Sequence, residues 1–142
     1  MKAENILKME LPARSRNESF ARTAVASFVS QLDPTIEEIN DIKTAVSEAV
    51  TNCIVHAYGD GLGSIYITVK LICDGGVQIR IKDKGCGIPD IAKAMEPLFT
   101  TGGEERAGLG FAVMQSFCDK VKVSSKEGKG TCVTLYKVLS AK

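Results

Sequence analysis

The segment Glu48-Ala-Val-Thr-Asn52-Cys-Ile-Val-His56 sets a glutamate, an asparagine and a histidine four residues apart. At about 100° per residue a helix would line them up as a polar strip. That strip lies roughly 120° from the centre of an apolar stripe made of Ile36, Ile39, Ile42, Val46, Ala49, Val50, Cys53 and Ala57. A solvated helix flank explains the spacing by itself. Two residues point further: Asn52 is a poor helix former in mid-helix, and Ala45 on the same strip adds no charge where solvation would welcome it. Asparagine offers a neutral oxygen suited to Mg²⁺, and a glutamate one turn away can serve as a general base. His56 is the only histidine, which excludes a histidine metal cluster and leaves it a hydrogen-bonding role at the helix end.

A second candidate is a carboxylate on the wrong side of a strand. In VQIRIKD (77–83), Val77, Ile79 and Ile81 alternate with Gln78, Arg80 and Lys82, and Asp83 falls on the apolar parity. It comes just before a loop spaced Gly85, Gly87, Pro89. A carboxylate facing a core is costly unless hydrogen-bonded, so it needs a donor. Backbone N–H groups of its own glycine turn are one source. A ligand's amino group, such as that of adenine, is the other, with Gly85 and Gly87 letting the backbone approach a flat ring closely. Thr131 shares the parity of Val133 and Leu135 and is placed to support the same polar group.

The third cluster is TTGGEERAGLGF (100–111). Gly108-x-Gly110 is expected to open a helix whose free N–H groups and dipole, joined by Arg106, make an anion site. A GxG before a helix is often only a turn, and no GxxxxGK[ST] is present, so this is not a P-loop.

The elements that must hold these residues follow from periodicity. Residues 5–11 form a short first strand. Ser15 and Glu18 predict a capping box on a helix with Phe20, Ala24, Val25, Phe28 and Leu32 inward. Asp33-Pro34 is expected to cap and open the helix that carries Glu48. Two strands around a DGG turn come next, then a mostly irregular stretch over 88–107. A helix over 108–120 follows, with Leu109, Val113, Met114, Phe117 and Cys118 inward. Strands 121–125 and 131–138 close on EGKG. Blocks of helices and hairpins imply an α+β fold, a two-layer sandwich of a mixed, mostly antiparallel sheet with helices on one face.

At 142 residues the chain is expected to form one domain. A net charge of +1 with interspersed signs gives no bulk attraction to nucleic acid or anionic lipid. Neither a signal-peptide core nor a membrane-length apolar run is present. Five scattered cysteines without a CxxC pair, four in apolar patterns, are expected to be reduced core thiols of a cytoplasmic protein.

Taken together, the three clusters resemble the GHKL superfamily of ATP-binding domains, which includes gyrase, histidine kinases and MutL. Glu48-Ala-Val-Thr-Asn52 is similar to its N box, Asp83-Lys-Gly85-Cys-Gly87 and Gly108-Leu-Gly110 to its glycine boxes, and Gly130-Thr131 to its threonine position. Across the whole chain NESFAR, QLDPT, SEAVTN, GCGIPDI, PLFTT and GLGF resemble the anti-sigma F factors, serine protein kinases of spore-forming bacteria. The resemblance implies the Bergerat type of ATP-binding fold, with a strand and a partner-docking helix over 1–33 and a nucleotide-binding core over 34–140. It implies ATP or ADP with Mg²⁺ as cofactors, and a homodimer that holds a sporulation sigma factor inactive. It also implies phosphorylation of a serine on an anti-anti-sigma protein, with no direct contact to nucleic acid or membrane. Glu48 would be the base, Asn52 the Mg²⁺ ligand and Asp83 the adenine reader, flanked by Gly85, Gly87 and Thr131. Thr100, Thr101, Arg106, Gly108 and Gly110 would meet the nucleotide on or beside a lid. Glu18 and Arg22 would contact protein partners, although at i, i+4 they also fit a plain surface ion pair. A stress-response anti-sigma kinase and a non-catalytic nucleotide-gated binding module are the alternatives. A histidine kinase is disfavoured, because the only histidine lies inside the helix of the first box.

Overall fold

A computed structural model describes residues 2–57, 63–85, 104–126 and 128–139, without the side chains of 56–57, 104–110 and 126. The order is β1 (Ala3–Pro12), α1 (Arg16–Val29), α2 (Ile36–Asn52), β2 (Ser64–Ile72), β3 (Gly76–Asp83), α3 (Glu104–Phe117), β4 (Lys120–Lys126) and β5 (Gly130–Val138). A 3₁₀ turn, Ser30–Leu32, separates α1 from α2, and a π turn, Cys53–Ala57, prolongs α2.

The strands form one sheet in the order β1-β2-β3-β5-β4. Its four ladders are all antiparallel, so the expected admixture of parallel pairing is absent among the described residues. Period-two alternation decides the faces. Ile65, Ile67, Val69 and Leu71 of β2 and Val77, Ile79 and Ile81 of β3 are buried on the helix side. They share one core with Val25, Val29, Ile42, Val46 and Val50 of the first two helices and Phe111 and Met114 of α3. Each such side chain contributes about 1.5–3 kcal/mol by leaving water. The expected two-layer α+β sandwich therefore forms.

Several local expectations shift. Ser15 is itself helical (φ −53°, ψ −39°), so its side chain makes no cap bond. Glu18 turns instead to Arg22, 3.3 Å away. The capping box sits at the next helix: Thr35 Oγ1 accepts the Glu38 N–H at 3.0 Å, and Glu38 Oε1 accepts the Thr35 N–H at 2.9 Å. Asp33, expected as the cap, instead ends the 3₁₀ turn in the left-handed region (φ 53°). Phe20 is exposed, because α1 turns its smaller Ala21, Val25 and Val29 to the core. Ile36, at the first helical position, is exposed as well. Among the described side chains of α3, Phe111 and Met114 are buried, Phe117 is at the surface and Cys118 just after the helix packs on the core; the Leu109 side chain is not among those described. Of the cysteines, Cys53 is buried, Cys118 and Cys132 are half-buried, and Cys73, in the turn after β2, is exposed. Cys86 lies outside the described residues.

One contact fixes the layers at the far end of β5, opposite Val77, and another lies beside the carboxylate of interest. Lys137 of β5 pairs with Asp41 of α2 at 3.3 Å and donates to the Phe117 carbonyl at the end of α3 at 2.9 Å. At the start of β5, Gly130 has φ +117°, and a Cβ there would collide with the Asp83 carbonyl oxygen.

Thr35→Ala should cost about 1 kcal/mol and Ser15→Ala close to nothing, read from denaturant midpoints. Gly130→Ala should cost at least about 1–3 kcal/mol, since it adds both backbone strain and a clash. A Gly130→Ala protein of unchanged midpoint would contradict the close approach of β5 to β3.

Candidate nucleotide site

Asp83 ends β3, between Ile65 of β2 and Thr131 of β5 in the ladder register. It is only 5% exposed, which makes its carboxylate the most costly group in the core. Its two oxygens are treated differently. Oδ1 accepts the N–H of Gly85 at 3.0 Å and the N–H of Thr131 at 3.2 Å. Among the described residues Oδ2 has one partner, the Cys53 thiol, at 3.5 Å. The glycine-turn donor anticipated from sequence is thus real, and the described part of that turn bonds Oδ1.

Thr131 supports Asp83 through its main chain. Its hydroxyl, the expected support, lies 2.8 Å from Ser125 Oγ on β4, its ladder neighbour. The donor is a backbone group at that position, which explains why Gly130 must lie so close to the Asp83 carbonyl.

The α2 strip meets this region from above. Ala45 is fully buried, so the strip borders the core and is not a solvated flank along its whole length. Asn52, at the end of α2, has both carboxamide atoms buried with no hydrogen-bond partner among the described residues. An unpaired buried amide is unfavourable by about 1–3 kcal/mol. It fits a site that gains its partner with a ligand. Directly after Asn52 the backbone widens into the π turn, a feature frequent at functional sites. Cys53 starts that turn and reaches Asp83. Burial, and then the charge of Asp83, hold its thiol well above its ordinary pKa range, so it stays protonated and can donate.

Glu48 is half-buried and makes no hydrogen bond or ion pair among the described residues. It opens onto a groove of about 300 Å³ between α1 and α2, shared with Arg22, Asn40, Lys43, Thr44 and Ser47. The structure thus brings Glu48 and Arg22 to one groove. The Glu18–Arg22 contact is an ion pair at 3.3 Å without hydrogen-bond alignment, and both atoms are otherwise unpartnered.

The second glycine box departs from expectation. The helix α3 begins at Glu104, so Gly108 and Gly110 lie within it and do not open it. Glu104, Glu105, Arg106 and Ala107 are good helix formers, and two acids favour a first turn. The free N–H groups of α3 therefore belong to the turn around Glu104 to Arg106. The side chains of Arg106 and His56 are not among those described, and Gly87, Thr100 and Thr101 lie outside the described residues.

Sequence reasoning missed two participants. Cys53 counted only as a member of the apolar stripe, although it follows Asn52 directly. Gly130 counted only as the neighbour of Thr131.

Among the described residues the donor set is a buried carboxylate with one weakly bonded oxygen, a buried amide without a partner and a carboxylate one turn from it, oxygen groups suited to an amino donor and a hard cation. A family model, the histidine kinase-like ATPase domain, matches residues 11–137. The anti-sigma F factor of Caldanaerobacter subterraneus subsp. tengcongensis is 56% identical, covering 98% of this chain and 97% of that one. The anti-sigma F factor of Thermoanaerobacter sp. is 54% identical over 99% of both chains. A crystal structure of the RsbU and RsbW domains of a Mycobacterium tuberculosis protein shares the fold, with a TM-score of 0.71 at 21% identity. It covers 95% of this chain and 32% of that one. The chain therefore belongs to the anti-sigma F factor family, built on the histidine kinase-like ATPase domain.

Proposed function

We propose that the chain is an anti-sigma factor that sequesters a sporulation sigma factor and, as an ATP-dependent serine kinase, inactivates the anti-anti-sigma protein that would release it. The observation that carries this reading is the unequal carboxylate of Asp83: among the described residues, two main-chain donors on Oδ1 and a single weak donor on Oδ2. Oδ2 is the acceptor for the adenine amino group, and Gly85, Gly87 and Thr131 shape the pocket around the ring. Asn52 supplies the Mg²⁺ ligand, with its unpartnered carboxamide as support. Bound Mg²⁺ would offset charge on the phosphates. Arg106, Gly108 and Gly110, with Thr100 and Thr101, serve the phosphate end.

In the transfer step Glu48 takes the proton of the partner's serine as its oxygen bonds to the γ-phosphorus and the bond to ADP breaks. With no partner among the described residues and open to a groove, Glu48 is free to accept that proton. Arg22, in the same groove, and Glu18 contact the protein partners, and a homodimer presents two such surfaces. The experiment is incubation with labelled ATP, Mg²⁺ and candidate antagonist proteins, followed by phosphoserine analysis; no transfer to any of them overturns the kinase reading.

Three substitutions separate the roles. Asp83→Asn should weaken ATP binding by an interaction worth on the order of 1–3 kcal/mol with the fold intact, because the amide turns a donor toward the adenine amino group. Calorimetry on the folded variant decides it, and near-normal affinity rejects Asp83 as adenine reader. Glu48→Ala should slow phosphorylation by about 10²–10⁴-fold while ATP and sigma binding persist. Phosphoserine formation and sigma capture, measured on one preparation, test this, and undiminished phosphorylation excludes Glu48 as base. Arg22→Ala should weaken partner binding at unchanged ATP affinity, whereas wild-type capture of both partners would leave Glu18–Arg22 a surface pair.

A further inference from the structure

Cys53 carries more than packing. It is 4% exposed, sits where α2 passes into the π turn, and its sulfur lies 3.5 Å from Asp83 Oδ2. The main chain satisfies Oδ1 twice, but nothing else recorded among the described residues donates to Oδ2. A carboxylate oxygen has two lone-pair directions, and a thiol is a weak donor. An aliphatic side chain there would leave that buried anionic oxygen without a donor from α2. The thiol supplies one: it orients the oxygen and takes only one of its two lone-pair directions.

We propose that Cys53 is a positioning residue for adenine recognition, its thiol holding Asp83 Oδ2 in the orientation that meets the 6-amino group. This rests on the reading of Asp83 as the adenine acceptor. The sulfur engages one lone pair, and the amino group takes the other. The same contact relieves the cost of the buried charge when no nucleotide is present.

The test compares ATP with purine riboside triphosphate, which lacks only the 6-amino group, by calorimetry on the full chain with Mg²⁺. Cys53→Ala should lose about two- to tenfold in affinity for ATP, the range of one modest hydrogen bond, and nothing for the purine analogue. Cys53→Ser, which keeps a donor, should return the ratio toward that of the unmodified chain. Equal loss for both nucleotides, no loss for either, or a serine variant as poor as alanine overturns the proposal. Asp83→Asn is run in parallel. If it leaves the ratio intact, the adenine reading fails; if it collapses the ratio while Cys53→Ala does not, only the role of Cys53 fails. The unmodified protein gives a second readout that needs no folded variant. The infrared S–H stretch of Cys53 should move to higher frequency with ATP, as a second donor draws on Oδ2, and stay put with the purine analogue. A band unmoved by ATP overturns the proposal.

Discussion

A carboxylate held at 5% exposure on the core side of a sheet is the constraint around which this fold is arranged. The effective penalty for burying such a charge is several kcal/mol unless donors replace water. Among the described residues three donors do so, from three parts of the chain: the loop after β3, the start of β5 and the end of α2. Each imposes a demand. The loop must turn back at Gly85. The main chain at Gly130 must press against Asp83, which only a residue without Cβ allows. The apolar stripe of α2 must extend to Cys53, where the π turn begins, so that its thiol faces the sheet. Asp83 thus ties the two layers together at one end of β3 and β5, and Lys137 does so at the other through Asp41 and the end of α3.

Within that frame α2 has two jobs. Its inner face, Ile42, Val46, Ala49 and Val50, packs on the sheet. Its strip carries Glu48 toward a groove and Asn52 toward the buried end. Because the strip borders the core, the helix can present an unpaired amide at depth while its first turn is held by the Thr35–Glu38 box.

The strands and Asp83 were legible in the sequence because period-two alternation leaves a carboxylate on an apolar parity with few explanations. The α2 strip was legible for the same reason, a neutral Ala45 and a mid-helix Asn52 where a solvated face prefers charge. What sequence did not reveal depends on competition between near-equal local choices. Ser15 and Thr35 both head a capping pattern, and only the extended backbone at Thr35 frees its hydroxyl to cap. Phe20 and Ala21 differ by 100° of helix, and close helix packing chose the smaller residue. The start of α3 moved four residues because good helix formers precede the glycines. The Cys53–Asp83 contact joins residues 30 apart in sequence, so no local pattern encodes it.

The most direct measurement is a crystal structure of the chain with Mg²⁺ and a non-hydrolysable ATP analogue. The account predicts the 6-amino nitrogen about 3 Å from Asp83 Oδ2. Oδ1 should still be held by the N–H groups of Gly85 and Thr131, and the Asn52 carboxamide oxygen should be on the metal. An adenine whose amino group faces away from Asp83, with Oδ2 still bonded to Cys53 alone, would contradict it.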